Sequence, residues 1–142
     1  MLKLNRIVKE LNLRVIVAHN IDKVVSGGYA SDLLSDVIAH SQKDNIWITL
    51  QTHQNIVAVA SLKELVGIII VNGRMPEDET IKKAKQEKIP ILVTELSTFE
   101  VVGRLYGLGV RGIKQGVSPC LSRRIGIPQN AGQPQKKRRV KS

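Results

Sequence analysis

Aromatic residues are scarce in this chain of 142 residues, with one Trp, one Phe and two Tyr. A compact core must therefore be aliphatic, and an apolar fraction of 42% suffices to build one. Cysteine is reduced to Cys120, which excludes an intramolecular disulfide and fits a reducing compartment. No window approaches the roughly 18 consecutive apolar residues of a membrane span, and the opening Met1-Leu2-Lys3-Leu4-Asn5-Arg6 lacks the apolar segment of a signal peptide. The chain reads as a soluble, cytoplasmic protein.

Acidic residues are missing altogether from Arg111 to Ser142, although this stretch holds nine of the 22 Lys and Arg. Nearly all of the net charge of +10 belongs to it. The preceding residues are close to neutral and carry no electrostatic footprint for nucleic acid. Residues 109–142 are rich in Gly, Pro, Gln and Ser, and their isolated apolar residues have no sustained period, so a disordered basic tail is expected. Its final cluster, Lys136, Lys137, Arg138, Arg139 and Lys141, admits three readings: a solvated tail without a role, an anchor for RNA or DNA, or a nuclear localisation signal.

What is present is a pattern repeated three times between Ile46 and Val102. A short apolar run ends in a polar corner and leads into a helix-like stretch. The runs are Ile46 to Leu50, Val66 to Val71 and Ile89 to Val93, and continuous apolar runs suit strands covered on both faces. The corners are Gln51-Thr52-His53-Gln54-Asn55, Asn72-Gly73-Arg74 and Thr94-Glu95-Leu96-Ser97. The spacing predicts helices over 55–64, over 76–88 with Pro76 in its first turn, and over 97–108 with Ser97 opening a capping box. Upstream, Leu4, Ile7, Val8 and Leu11 predict a helix over 2–11, followed by a buried strand at 13–18. An extended piece over 24–30 is interrupted by Gly27-Gly28, which marks either a close backbone approach or a packing bend. Ser31 is the expected N-cap of a helix to about His40. Strands alternating with helices argue for a three-layer α/β/α fold around a mainly parallel sheet of about five strands, with all three corners at one edge.

At these residues the chain resembles the DRTGG-domain family, related in fold to the N-terminal domains of HPr kinase/phosphorylase and of the MurF ligase. The resemblance covers residues 1–108 and is strongest from Ile46 to Phe99. The family's Asp-Arg corner corresponds to Thr52-His53, its Thr-Gly-Gly corner to Val71-Asn72-Gly73, and a later Asp-Thr-Phe to Ser97-Thr98-Phe99. The last glycine and the Thr-Phe pair are retained, so the chain looks like a divergent, stand-alone branch of the family. Such domains accompany phosphotransacetylase, CBS-containing pyrophosphatase and P-loop kinase units. The resemblance therefore implies regulation and self-association, here as a homodimer. A Gly-x-x-x-x-Gly-Lys-Ser/Thr phosphate cradle is not found, so kinase activity is not carried over.

The chemistry of the corners suits binding more than turnover. Gln51, Thr52, His53, Asn55, Asn72, Gly73, Arg74, Thr94, Glu95, Ser97 and Thr98 would present neutral donors, one guanidinium and helix N-termini to a nucleotide or other small anion. The plainer alternative is that they cap helices and hydrate the sheet edge. His53 is the one histidine in a corner, and Glu95 is the acid placed to approach it as a general-base partner. Asp32 and Asp36 could share a cation but more simply form a solvated face. No metal site, cofactor or catalytic set is indicated. Trp47, Tyr29, Tyr106 and Phe99 are the candidate interface anchors, with Trp47 equally suited to the core. The expected function is a non-catalytic regulatory, sensory or oligomerisation module. The alternatives are a nucleic-acid-associated protein acting through its tail, and an enzyme on a phosphorylated metabolite using His53 and Arg74.

Overall fold

A computed structural model describes residues 1–112. Of the expected tail, residues 113–142 with the basic cluster lie outside the described residues, whereas 109–112 are described, with Val110 buried and the Arg111 carbonyl accepting from Gly28 N–H. The chain runs α1 (Leu4–Glu10), β1 (Arg14–Val17), β2 (Gly27–Ala30), α2 (Leu34–His40), β3 (Asn45–Thr49), α3 (Asn55–Lys63), β4 (Gly67–Ile70), α4 (Asp78–Glu87), β5 (Ile91–Val93) and α5 (Thr98–Gly107). Five strands form one sheet in the order β1-β5-β4-β3-β2. The pairs β2/β3, β3/β4 and β4/β5 are parallel, as the repeated pattern implies.

The apolar runs are continuous because consecutive side chains enter two different cores. Ile46, Ile48, Ile69, Val71 and Leu92 face α1 and α5, where Leu4, Ile7, Val101 and Leu105 close the layer. Trp47, Ile68, Ile70, Ile91 and Val93 face α2, α3 and α4, against Val37, Ile56, Val57, Ala60 and Ala84. Both cores are aliphatic apart from Trp47, which is fully buried and donates its indole N–H to the Ser31 carbonyl at 2.8 Å. Trp47 is therefore a core residue and not an exposed anchor. Burying side chains of this kind contributes roughly 1.5–3 kcal/mol each.

Three expectations are corrected. The strand at 13–18 is not buried: β1 is an edge strand, antiparallel to β5, and Arg14 and Val15 are exposed. A run of a few apolar residues carries no information about strand direction or position in the sheet. The helix after Ser31 begins only at Leu34, because the Ser31 hydroxyl accepts from Leu33 N–H within the turn and Asp32 is drawn towards β3. Pro76 precedes the helix: α4 starts at Asp78, since Glu77 N–H donates to the Thr52 carbonyl. At Gly27-Gly28 the close-approach alternative is the observed one. The returning chain runs beside β2, Gly28 N–H donates to the Arg111 carbonyl at 2.8 Å, and a Cβ on Gly27 would lie 2.7 Å from that oxygen.

Candidate functional site

The connections after β2, β3 and β4 all lead to helices on one face of the sheet, whereas the connection after β5 leads to α5 on the other. Neighbouring strands whose exits part to opposite faces leave a crevice between them, and β4 and β5 are the pair that does so. A cleft of about 480 Å³ opens there, lined by Leu11, Asn12, Arg14, Gly73, Arg74, Met75, Val93, Thr94, Glu95, Leu96 and Arg104.

Local sequence explains how its floor is built. Asn72 and Gly73 have φ of +60° and +70°, the signs of a type I′ turn, and Asn-Gly is the pair that adopts them at least cost. Arg74 N–H closes this turn on the Val71 carbonyl at 3.2 Å. The turn is fastened to the β5 exit by Asn72 N–H to the Leu96 carbonyl and Gly73 N–H to the Thr94 carbonyl, both at 2.9 Å. These two amides are thereby spent inside the protein. The near approach at Gly73 is made by the Glu95 carboxylate, since a Cβ at Gly73 would meet Glu95 Oε1 at 2.6 Å. An anion in the cleft would therefore be held by side chains rather than by a backbone nest.

The charged residues of the lining are Arg14, Arg74, Arg104 and Glu95, of which the three arginines could hold an anion. Arg74 follows the turn. Arg14 arrives because β1 is antiparallel: it pairs in register with Val93, so the start of β1 lies at the carboxyl end of β5. Arg104 extends from α5, where it makes a 3.6 Å ion pair with Glu100, both side chains about half exposed. Among the described residues no carboxylate lies within ion-pair distance of Arg14 or Arg74. Sequence reading overlooked Arg14 and Arg104. An arginine in a supposed buried strand and another on a helix face carry no local signal of convergence.

Of the residues expected to line a site, the structure brings Gly73, Arg74, Thr94 and Glu95 together in the cleft. The corner after β3 is elsewhere and internally bonded. Gln51 donates through Nε2 to the Asp32 carbonyl, and Thr52 offers its carbonyl to Glu77 N–H and to the Thr80 hydroxyl at 2.6 Å. His53 accepts from Asn55 N–H through Nδ1 at 3.1 Å, serving the start of α3. The expected His53–Glu95 pair is not formed: His53 serves the start of α3, and the Glu95 carboxylate lies over Gly73. Ser97 caps α5 by accepting from Glu100 N–H, and Thr98 begins that helix.

Asp32 and Asp36 do not share a site either. Asp32 Oδ1 accepts from the Thr49 hydroxyl at 2.8 Å and from Leu50 N–H at 2.7 Å, tying β2's exit to β3's. Asp36 accepts from the Tyr29 hydroxyl at 2.8 Å and lies 3.0 Å from His40 Nδ1. The hydrogen bond from Tyr29, with lesser ones from Ser31 and His40, holds the Asp36 carboxyl below the usual carboxylate range. Burial, followed by the bond to Asp36 and its charge, pushes the Tyr29 phenol up to about 12. Among the described residues no group of three or more His, Cys, Asp and Glu could hold a metal ion, and no helix is long and apolar enough to cross a membrane.

Comparison with known proteins gives the lineage of this arrangement. The family model described as the DRTGG domain matches residues 6–108. Among solved structures, the chain is similar to the CBS and DRTGG domains of the regulatory region of Clostridium perfringens pyrophosphatase, crystallised with the activator diadenosine tetraphosphate. The identity is 18% and the TM-score 0.62; the match covers 82% of this chain and 52% of the other, about half its length. At that identity the likeness establishes the fold alone. A search of curated proteins found no match.

Proposed function

Because the chain belongs to the DRTGG domain family, we propose that it is a regulatory module that senses a nucleotide or other small anion in the cleft between the β4 and β5 exits, without turnover. The observation that carries this reading is the convergence of Arg14, Arg74 and Arg104, from three separate elements, on one crevice with a single carboxylate. Guanidinium groups present planar forks of donors that match phosphate and carboxylate oxygens, and a crevice focuses their field. The similar structure comes from a regulatory region crystallised with a nucleotide activator, which agrees with this class of role.

In the same reading the protein works in the cytoplasm as a homodimer. Family membership supports self-association, and α5 offers apolar surface for it: Phe99, Val102 and Tyr106 are 86%, 39% and 58% exposed.

Thermal-shift measurements with nucleotides and phosphorylated metabolites test the ligand site. A binder is expected to raise the Tm of the wild type and to lose most of that effect in Arg14→Ala and Arg74→Ala. A compound stabilising all three proteins equally would remove these arginines from the site. Charge favours one further reading, nucleic-acid association through the C-terminal stretch with Lys136, Lys137, Arg138, Arg139 and Lys141. Deletion of residues 113–142 would then abolish salt-sensitive RNA or DNA binding and leave the small-ligand shift intact.

A further inference from the structure

The cleft contains a feature that a simple anion trap would not include: Glu95, whose carboxylate is an acceptor-only group, shares the lining with three arginines. Both of its oxygens lie over Gly73, with Oε1 2.6 Å and Oε2 3.1 Å from where a Cβ would be, so the carboxylate fills the space that the missing side chain leaves. Among the described residues it makes no ion pair and no side-chain hydrogen bond. A purely anionic ligand bound beside it would gain three cations and suffer repulsion from one anion, which costs affinity. A ligand with hydrogen-bond donors at one end and negative charge at the other would satisfy all four groups.

We infer that the cleft takes a ribonucleoside polyphosphate, its phosphates on Arg14, Arg74 and Arg104 and its ribose hydroxyls donating to Glu95. This rests on the reading above that the cleft binds an anion. Three arginines against one carboxylate leave the lining with an excess of positive charge, which suits a diphosphate better than a neutral sugar. The remaining lining includes Leu11, Met75, Val93 and Leu96, an apolar wall whose Met75 is 44% exposed and able to cover the face of a base. A volume of about 480 Å³ lies within the range of small-molecule sites. Arg104 can turn from Glu100 to a phosphate at little cost, because a half-exposed pair at 3.6 Å contributes little.

The test is calorimetric titration of the full chain at raised ionic strength, which suppresses non-specific binding to the basic C-terminal stretch. The probes are ADP, CDP, GDP and UDP, their 2′,3′-dideoxy counterparts, and inorganic pyrophosphate. At least one ribonucleoside diphosphate is expected to bind about 10- to 100-fold more tightly than its dideoxy counterpart, the ratio for losing a hydrogen bond to a charged group. In Glu95→Gln that preference should shrink several-fold while pyrophosphate binds as well as or better than before. Equal binding of diol and dideoxy forms by the wild type, with both weakened in Arg74→Ala, would overturn the assignment of Glu95 and leave the anion site intact. Failure of every probe to distinguish wild type from Arg74→Ala would overturn the anion site as well.

Discussion

Gly73 and Glu95 lie against each other: a methyl group at position 73 would lie 2.6 Å from Glu95 Oε1, and Gly73 itself sits at φ +70°. The glycine is thus required by the turn, while the carboxylate above it occupies the space a side chain would take. Gly73→Ala is expected to cost about 1–2 kcal/mol, the penalty of a left-handed non-glycine residue. Glu95 is exposed and able to move aside, so adding Glu95→Ala should recover little of that loss. Urea denaturation of the two variants measures this; full recovery in the double variant would assign the cost to the carboxylate.

Asp32 fastens the exits of β2 and β3 by accepting from Thr49 and Leu50. The Thr49 side chain is almost fully buried, at 1% exposure, so its hydroxyl would have no outside partner. Asp32→Ala is expected to lower stability by about 1–3 kcal/mol, the range for orphaning buried donors, and Asp32→Asn by less because a carbonyl acceptor remains. Chemical denaturation with unchanged m-value is the expected signature.

Three of the strands were legible in the sequence because Ile46–Leu50, Val66–Val71 and Ile89–Val93 are almost wholly apolar and do not alternate with charged residues, as strands buried on both faces require. The α5 start was legible too, since Ser97 and Glu100 have capping spacing and Ser97 does accept from Glu100 N–H. The cleft was half legible. Gly73, Arg74, Thr94 and Glu95 follow parallel strands and so reach one edge of the sheet. Arg14 reaches that edge only because β1 is antiparallel, a property of tertiary pairing that Arg14-Val15-Ile16-Val17 cannot express. The bonds that occupy Gln51, Thr52 and His53 join residues up to 28 positions apart and are equally silent in the sequence.

Trp47 reports on the core. Its indole is fully buried and bonded to the Ser31 carbonyl, so its fluorescence should be blue-shifted, resistant to acrylamide and independent of protein concentration. Trp47→Phe is expected to cost about 2–4 kcal/mol through the lost hydrogen bond and the cavity left behind. A concentration-dependent emission maximum would instead place Trp47 at a subunit contact.

The Tyr29–Asp36 bond links stability to pH at both extremes. Asp36 has a lowered pKa in the fold, so its contribution is complete above the unfolded carboxylate value and disappears as pH falls through the folded one. Tyr29 has a raised pKa, so its contribution is complete below about 10, the unfolded value, and is lost as pH rises through about 12. In Tyr29→Phe the stability difference from wild type should therefore narrow at both ends. Ultraviolet titration should also lose a phenolate transition near 12. A difference constant across the whole pH range would show that the bond does not form.

The site itself is tested most directly by mapping backbone amide shifts of the full chain during titration with pyrophosphate and with ADP. Perturbations are expected at Asn12 to Arg14, Gly73 to Met75, Thr94 to Leu96 and around Arg104, the positions that surround the cleft. Shifts confined to Gln51–Asn55, or to residues 113–142, would contradict a ligand site between the β4 and β5 exits.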